Sequence, residues 1–111
     1  MPTPHKTSWA QPRGFPRHLM DQRLLLRSGA TLHGRTKDIS EGGLGATVAG
    51  ELNRNAPVEL EFNLPGSSTP LRIMAEIRYH QGFQYGFRFL HITEKQREQI
   101  REAIRTLEPA P

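Results

Sequence analysis

A chain of 111 residues has room for one small domain, and 35% apolar, 23% charged and 7% aromatic content is a lean globular composition. The absence of cysteine excludes disulfides, thiolate zinc sites, iron–sulfur clusters and cysteine nucleophiles together. The net charge of +4 is unevenly spread: residues 1–37 hold seven cations and one acid, +6, whereas the remainder stands at −2. Most of the cations are arginine, whose fork suits phosphates and guanine edges, so the N-terminal third is expected to meet an anionic partner. No apolar run approaches the roughly 18 residues that span a bilayer. No apolar core follows Met1-Pro2-Thr3-Pro4-His5-Lys6 as a secretion signal requires, so a cytoplasmic domain is expected.

Residues 1–12 carry Pro2, Pro4 and Pro12 without apolar periodicity and read as a flexible tail. Residues 13–18, Arg-Gly-Phe-Pro-Arg-His, form a basic, proline-interrupted linker. Alternating apolar segments then predict strands at 19–27, 30–39, 44–49, 57–64, 71–81 and 84–91. The fourth is the clearest, with Val58, Leu60, Phe62 and Leu64 alternating with Glu59, Glu61 and Asn63. The fifth and sixth form a hairpin through Gln81-Gly82-Phe83-Gln84, and the sixth sets Tyr85, Phe87 and Phe89 against Gly86, Arg88 and Leu90. Most aromatics, Tyr79 and Phe83 among them, are expected at inward positions. Thr93-Glu94-Lys95-Gln96 fits a capping box. Ile100, Ala103, Ile104 and Leu107 recur at helical spacing, predicting a helix over 94–107 that Pro109 stops. The expected fold is mainly β: a small six-stranded antiparallel β-barrel with a C-terminal amphipathic α-helix and a flexible N-terminal tail.

Enzyme chemistry finds little foothold. The histidines His5, His18, His33, His80 and His91 make no HxH, HxxxH or HExxH arrangement, and no metal site is expected. Glu41-Gly42-Gly43-Leu44-Gly45 is not followed by Gly-Lys-Ser/Thr and is no P-loop. Two constellations remain. Arg13 and Arg17 lie four apart on a stretch that Pro16 keeps from being an ordinary helix, either a plain basic linker or two forks aimed into one pocket. Asp38 and Ser40 end a strand two apart, and Gly42-Gly43 follows. This is either a polar turn or a surface where Asp38 accepts from guanine N1–H and N2–H while Ser40 adds a hydroxyl.

An RxxxR pair about 20 residues ahead of a strand-ending DxSxxG resembles the PilZ domain family, bacterial receptors for cyclic di-GMP. Ile39 and Leu44 flank the Ser and Gly as in that family, Ala75-Glu76-Ile77-Arg78 is similar to its penultimate barrel strand, and Gly86-Phe87-Arg88-Phe89-Leu90 to its closing segment. The resemblance covers residues 13–107. It implies a switch loop at 13–18 whose Arg13 and Arg17 contact guanine edges and phosphates, and a cradle of Asp38, Ser40 and Gly43. Tyr79 lies near where some relatives place a base-stacking aromatic, and Trp9 or Phe15 is a candidate to close over the ligand. Pro12 stands where many relatives have a further arginine, which points to a single ligand. The implied partners are cyclic di-GMP, with no cofactor, and a downstream protein effector, in control of motility or biofilm formation. Two alternatives stand beside this: a PilZ-like adaptor that binds no nucleotide, and a small barrel that binds single-stranded nucleic acid through its arginine-rich arm.

Overall fold

The computed structural model describes residues 15–111. Seven strands and one helix follow in order: β1 (His18–Leu19), β2 (Arg23–Ser28), β3 (Ala30–Ile39), β4 (Gly43–Val48), β5 (Val58–Asn63), β6 (Pro70–Gln81), β7 (Gln84–His91) and α1 (Glu94–Ile104). The antiparallel pairings run β3-β2-β5-β6-β7-β4, and β4 pairs back onto β3, so six strands close into a barrel. The tail at 1–12 and the first residues of the linker lie outside the described residues. Among those described, no helix is long and apolar enough to cross a membrane.

The barrel exists because each strand keeps one apolar face. On β5, Val58, Leu60 and Phe62 are buried while Glu59, Glu61 and Asn63 are half-exposed. On β7, Tyr85, Phe87 and Phe89 point inward as expected. Tyr85 is buried to 1% exposure because its hydroxyl has partners, accepting from Leu52 N at 3.2 Å and lying 3.4 Å from Gly50 O. Outside, Glu61 takes Arg27 at 2.7 Å and Arg72 at 3.3 Å, and the Arg27 hydrogen bond holds its carboxyl below the usual glutamate range.

The strand and helix limits, and one turn residue, depart from the sequence reading. The first predicted strand, 19–27, is interrupted between β1 and β2. There the main chains still bond, Met20 N to Lys37 O at 3.0 Å and Thr36 N to Gln22 O at 2.9 Å, while the buried Thr36 hydroxyl serves the groups left over, donating to Met20 O at 2.6 Å and accepting from Gln22 N at 2.9 Å. Phe83, expected inward, is 68% exposed, because it sits in the β6–β7 turn beside Gly82 at φ 62°. Finally, α1 ends at Ile104 instead of 107. Both the Thr106 amide and its hydroxyl bond Ala103 O, at 3.0 and 2.8 Å, and the last turn tightens.

The capping box is present: Gln96 N donates to the Thr93 hydroxyl and Thr93 N to the Gln96 side chain, both at 3.0 Å. Gln96 also donates to Arg72 O on β6, and Ile100 is fully buried, so α1 is seated on the barrel. Thr93→Ala is expected to cost about 1 kcal/mol in urea denaturation, the usual magnitude for a lost N-cap.

Candidate functional site

The outer face of β3, β4, β7 and β6 carries the site. Cross-strand register aligns one residue from each: Asp38 pairs with Gly45, Gly45 with Gly86, and Gly86 with Tyr79. Two glycines in the middle of the row leave a trough with a carboxylate at one end and an aromatic ring at the other. Both end groups lean over their neighbouring glycine. A Cβ on Gly45 would come within 3.0 Å of Asp38 Oδ1, and one on Gly86 within 2.8 Å of the Tyr79 ring.

Both ends of the row owe their outward direction to a bulge. On β3, Thr36 is buried and strict alternation would bury Asp38; the register shifts between Thr36 and Asp38, Lys37 is the extra residue, and Ile39 takes the inward place instead. On β6, Leu71, Ile73 and Ala75 point inward and the same alternation carries Tyr79 in with them. The register shift between Ile77 and Tyr79, with Arg78 as the extra residue, turns Tyr79 out. Tyr79 is therefore not a core aromatic, a correction to the inward placement expected of it. Lys37 and Arg78, set at the two bulges, line the same cavity and carry no ion pair among the described residues.

The cavity over this row has a volume of about 1020 Å³ and is also lined by Phe15, Arg17, Glu41 and Arg88. Arg17 Nη1 lies 3.0 Å from Asp38 Oδ1, which also accepts from Gly45 N at 3.1 Å. The two charged side chains are only 25% and 18% exposed, so this ion pair is screened less than a surface pair. Arg17 Nε is buried without a partner among the described residues.

Of the residues singled out in the sequence, the structure brings Arg17, Asp38 and Tyr79 to one cavity. Arg13 lies outside the described residues, as does Trp9. Ser40 and Gly43 do not line the cavity. Because β3 ends at Ile39, Ser40 leaves the strand alternation that would have kept it beside Asp38, and it is buried to 1%. Its amide donates to Gly43 O at 2.8 Å, and its hydroxyl accepts from Gly42 N at 3.1 Å, fixing the loop below the trough. Gly43 is needed by the barrel: a Cβ there would run into Phe87 O. Phe15 packs on the open face of Gly42. Sequence reasoning missed Lys37, Arg78, Gly45 and Gly86 as site residues. The glycines carried a signal, each lying at an outward strand position, whereas the bulges left none.

A family model described as PilZ domain matches residues 11–106. Solved structures share the fold. The Bacillus subtilis inhibitor of motility MotI/DgrA superposes with a TM-score of 0.72 at 15% identity, covering 86% of this chain and 51% of that one. The PilZ domain of Escherichia coli YcgR with c-di-GMP gives 0.70 at 21% identity, covering 87% and 92%. YcgR in complex with c-di-GMP gives 0.69 at 25% identity, covering 86% and 46%. The chain thus spans about half the length of MotI and of the longer YcgR chain, and nearly all of the isolated YcgR domain. No curated protein matches it in sequence.

Proposed function

The chain belongs to the PilZ domain family, and from that premise we propose that it is a receptor for cyclic di-GMP that acts through a protein effector and not as an enzyme. The observation that carries this reading is the row Asp38–Gly45–Gly86–Tyr79 beneath Arg17. A guanine is flat and needs a floor without side chains, which Gly45 supplies beside the Tyr79 ring that lies over Gly86. It presents N1–H and N2–H together, which one carboxylate accepts, and its O6 and N7 accept from an arginine fork. Tyr79 offers a face for stacking. Asp38, Ser40 and Gly43 act as the cradle, Ser40 and Gly43 by holding the loop and strand that aim Asp38. Arg13 and Arg17 belong to the arm that meets the phosphates and guanine edges. With guanine bound, the Arg17 side chain exchanges its contact with Asp38 for ligand, so binding redirects the arm ahead of β1 and offers a changed surface to the effector.

Isothermal titration calorimetry tests the reading. Wild-type protein is expected to give saturable heat with cyclic di-GMP and none with GMP or a short single-stranded oligonucleotide at the same concentration. The fitted stoichiometry decides between one ligand and two. A folded protein giving no heat with cyclic di-GMP would sink the receptor, leaving the nucleotide-free adaptor. Binding of the oligonucleotide instead would favour the nucleic-acid barrel.

A further inference from the structure

We propose that residues 108–110, which leave α1, are a positioning element of the ligand site: a strap that holds the main chain of Arg17. The inference rests on the cyclic di-GMP reading and extends it to a segment that carries none of the signature residues. Ala110 N donates to Arg17 O at 2.9 Å, Leu19 N donates to Glu108 O at 2.8 Å, and His18 bridges Pro109 in antiparallel register. On its other edge β1 is held by β3 through His18↔Ile39 and Leu19↔Asp38. A two-residue strand with one neighbour has too few ladder bonds to fix its own direction. The strap gives it a second neighbour, and β1 becomes the centre of a small three-stranded patch.

The composition of the strap suits this role. Pro109 and Pro111 have no amide hydrogen and fix φ near the extended value, so the strap is stiff and leaves Ala110 as its one donor between them. That donor is spent on the residue whose side chain meets Asp38. The Arg17 guanidinium reaches Asp38 through Nη1 alone, with Nε lacking a partner among the described residues, so side-chain bonds by themselves do not lock it. Main-chain anchorage supplies the missing constraint and lowers the ordering entropy that the ligand must overcome. Pro111 itself lines the cavity, placing the end of the strap beside the bound ligand.

The test is calorimetry with cyclic di-GMP on the full chain carrying Ala110→Pro, Arg17→Ala, or both. Ala110→Pro removes one amide donor from an already proline-flanked, extended segment and is expected to weaken binding roughly three- to tenfold, the equivalent of one hydrogen bond. In the Arg17→Ala background it is expected to add no further weakening, because the strap acts through Arg17; a merely structural role would weaken both backgrounds alike. Removing residues 108–111 tests the same contact without a new proline and should also release hydrogen-exchange protection at the Leu19 amide. Unchanged or tighter binding by Ala110→Pro overturns the proposal, as does weakening that persists in the double variant. A wild type that does not bind overturns the receptor reading itself, so the two failures are distinguishable.

Discussion

Asp38→Ala is expected to weaken cyclic di-GMP binding about tenfold to hundredfold, the effect of losing a charge-assisted contact of roughly 1.5–3 kcal/mol. Asp38 is the acceptor at the end of the trough, and no other carboxylate lies in its row. Asp38 also organises the free site, which carries the expected loss toward the upper end of that range. Its Oδ1 holds Arg17 at 3.0 Å and Gly45 N at 3.1 Å, so the alanine variant loses the group that aims the arginine as well as the group that reads the guanine. Asp38→Asn keeps an acceptor but replaces a charged one, and is expected to fall between wild type and alanine. Thermal melting should fall modestly in Asp38→Ala, which leaves a part-buried Arg17 without its acceptor, and less in Asp38→Asn, while Ile39, next to it, keeps the core contact in both. Calorimetry with melting on the same samples checks both parts. Wild-type affinity in Asp38→Ala would remove the carboxylate from the site.

How far the sequence disclosed this molecule follows from which physics is periodic. Strand alternation in Val58–Asn63 and in Gln84–His91 is a repeat of two, and it placed Leu60, Phe62, Tyr85 and Phe87 in the core as found. The capping box at Thr93 and the stripe through Ile100 are equally local and were equally legible. A β-bulge is different: it inserts one residue, reverses every later side chain on that strand, and has no composition of its own. Alternation counted back from Ile39 sets Asp38 outward, and alternation along β6 sets Tyr79 inward although the resemblance places it near a base; in the structure both are turned outward by the same device. The break at residues 20–22 is hidden for a related reason, since a threonine on the opposite strand serves the backbone groups that the ladder leaves over. The bridge from residues 108–110 to β1 is a contact across almost the whole chain, and nothing local announces it.

Gly43→Ala is expected to destabilise the fold by about 2–4 kcal/mol, with a fall in Tm of roughly 10 °C or more. Every atom that the new methyl meets is backbone: it runs into Phe87 O, with Phe87 C at 3.1 Å and Arg88 Cα at 3.2 Å. Gly43 pairs with Arg88 where β4 joins β7, so relief requires the two strands to part at the seam under the Ser40–Gly43 loop. The neighbouring Gly42 is the internal comparison. There the obstacle is the Phe15 ring at 3.0 Å, a side chain free to swing aside, and Gly42→Ala is expected to cost under about 1 kcal/mol. Both glycines flank the same loop, so a difference between them separates backbone crowding from loop flexibility. Thermal and urea denaturation of the two variants measures it. Equal melting would mean that the β4–β7 seam yields more readily than its close approach implies. The larger loss at Gly43 would assign the glycine of the DxSxxG run to barrel closure, with its effect on ligand binding exerted through the position of Asp38.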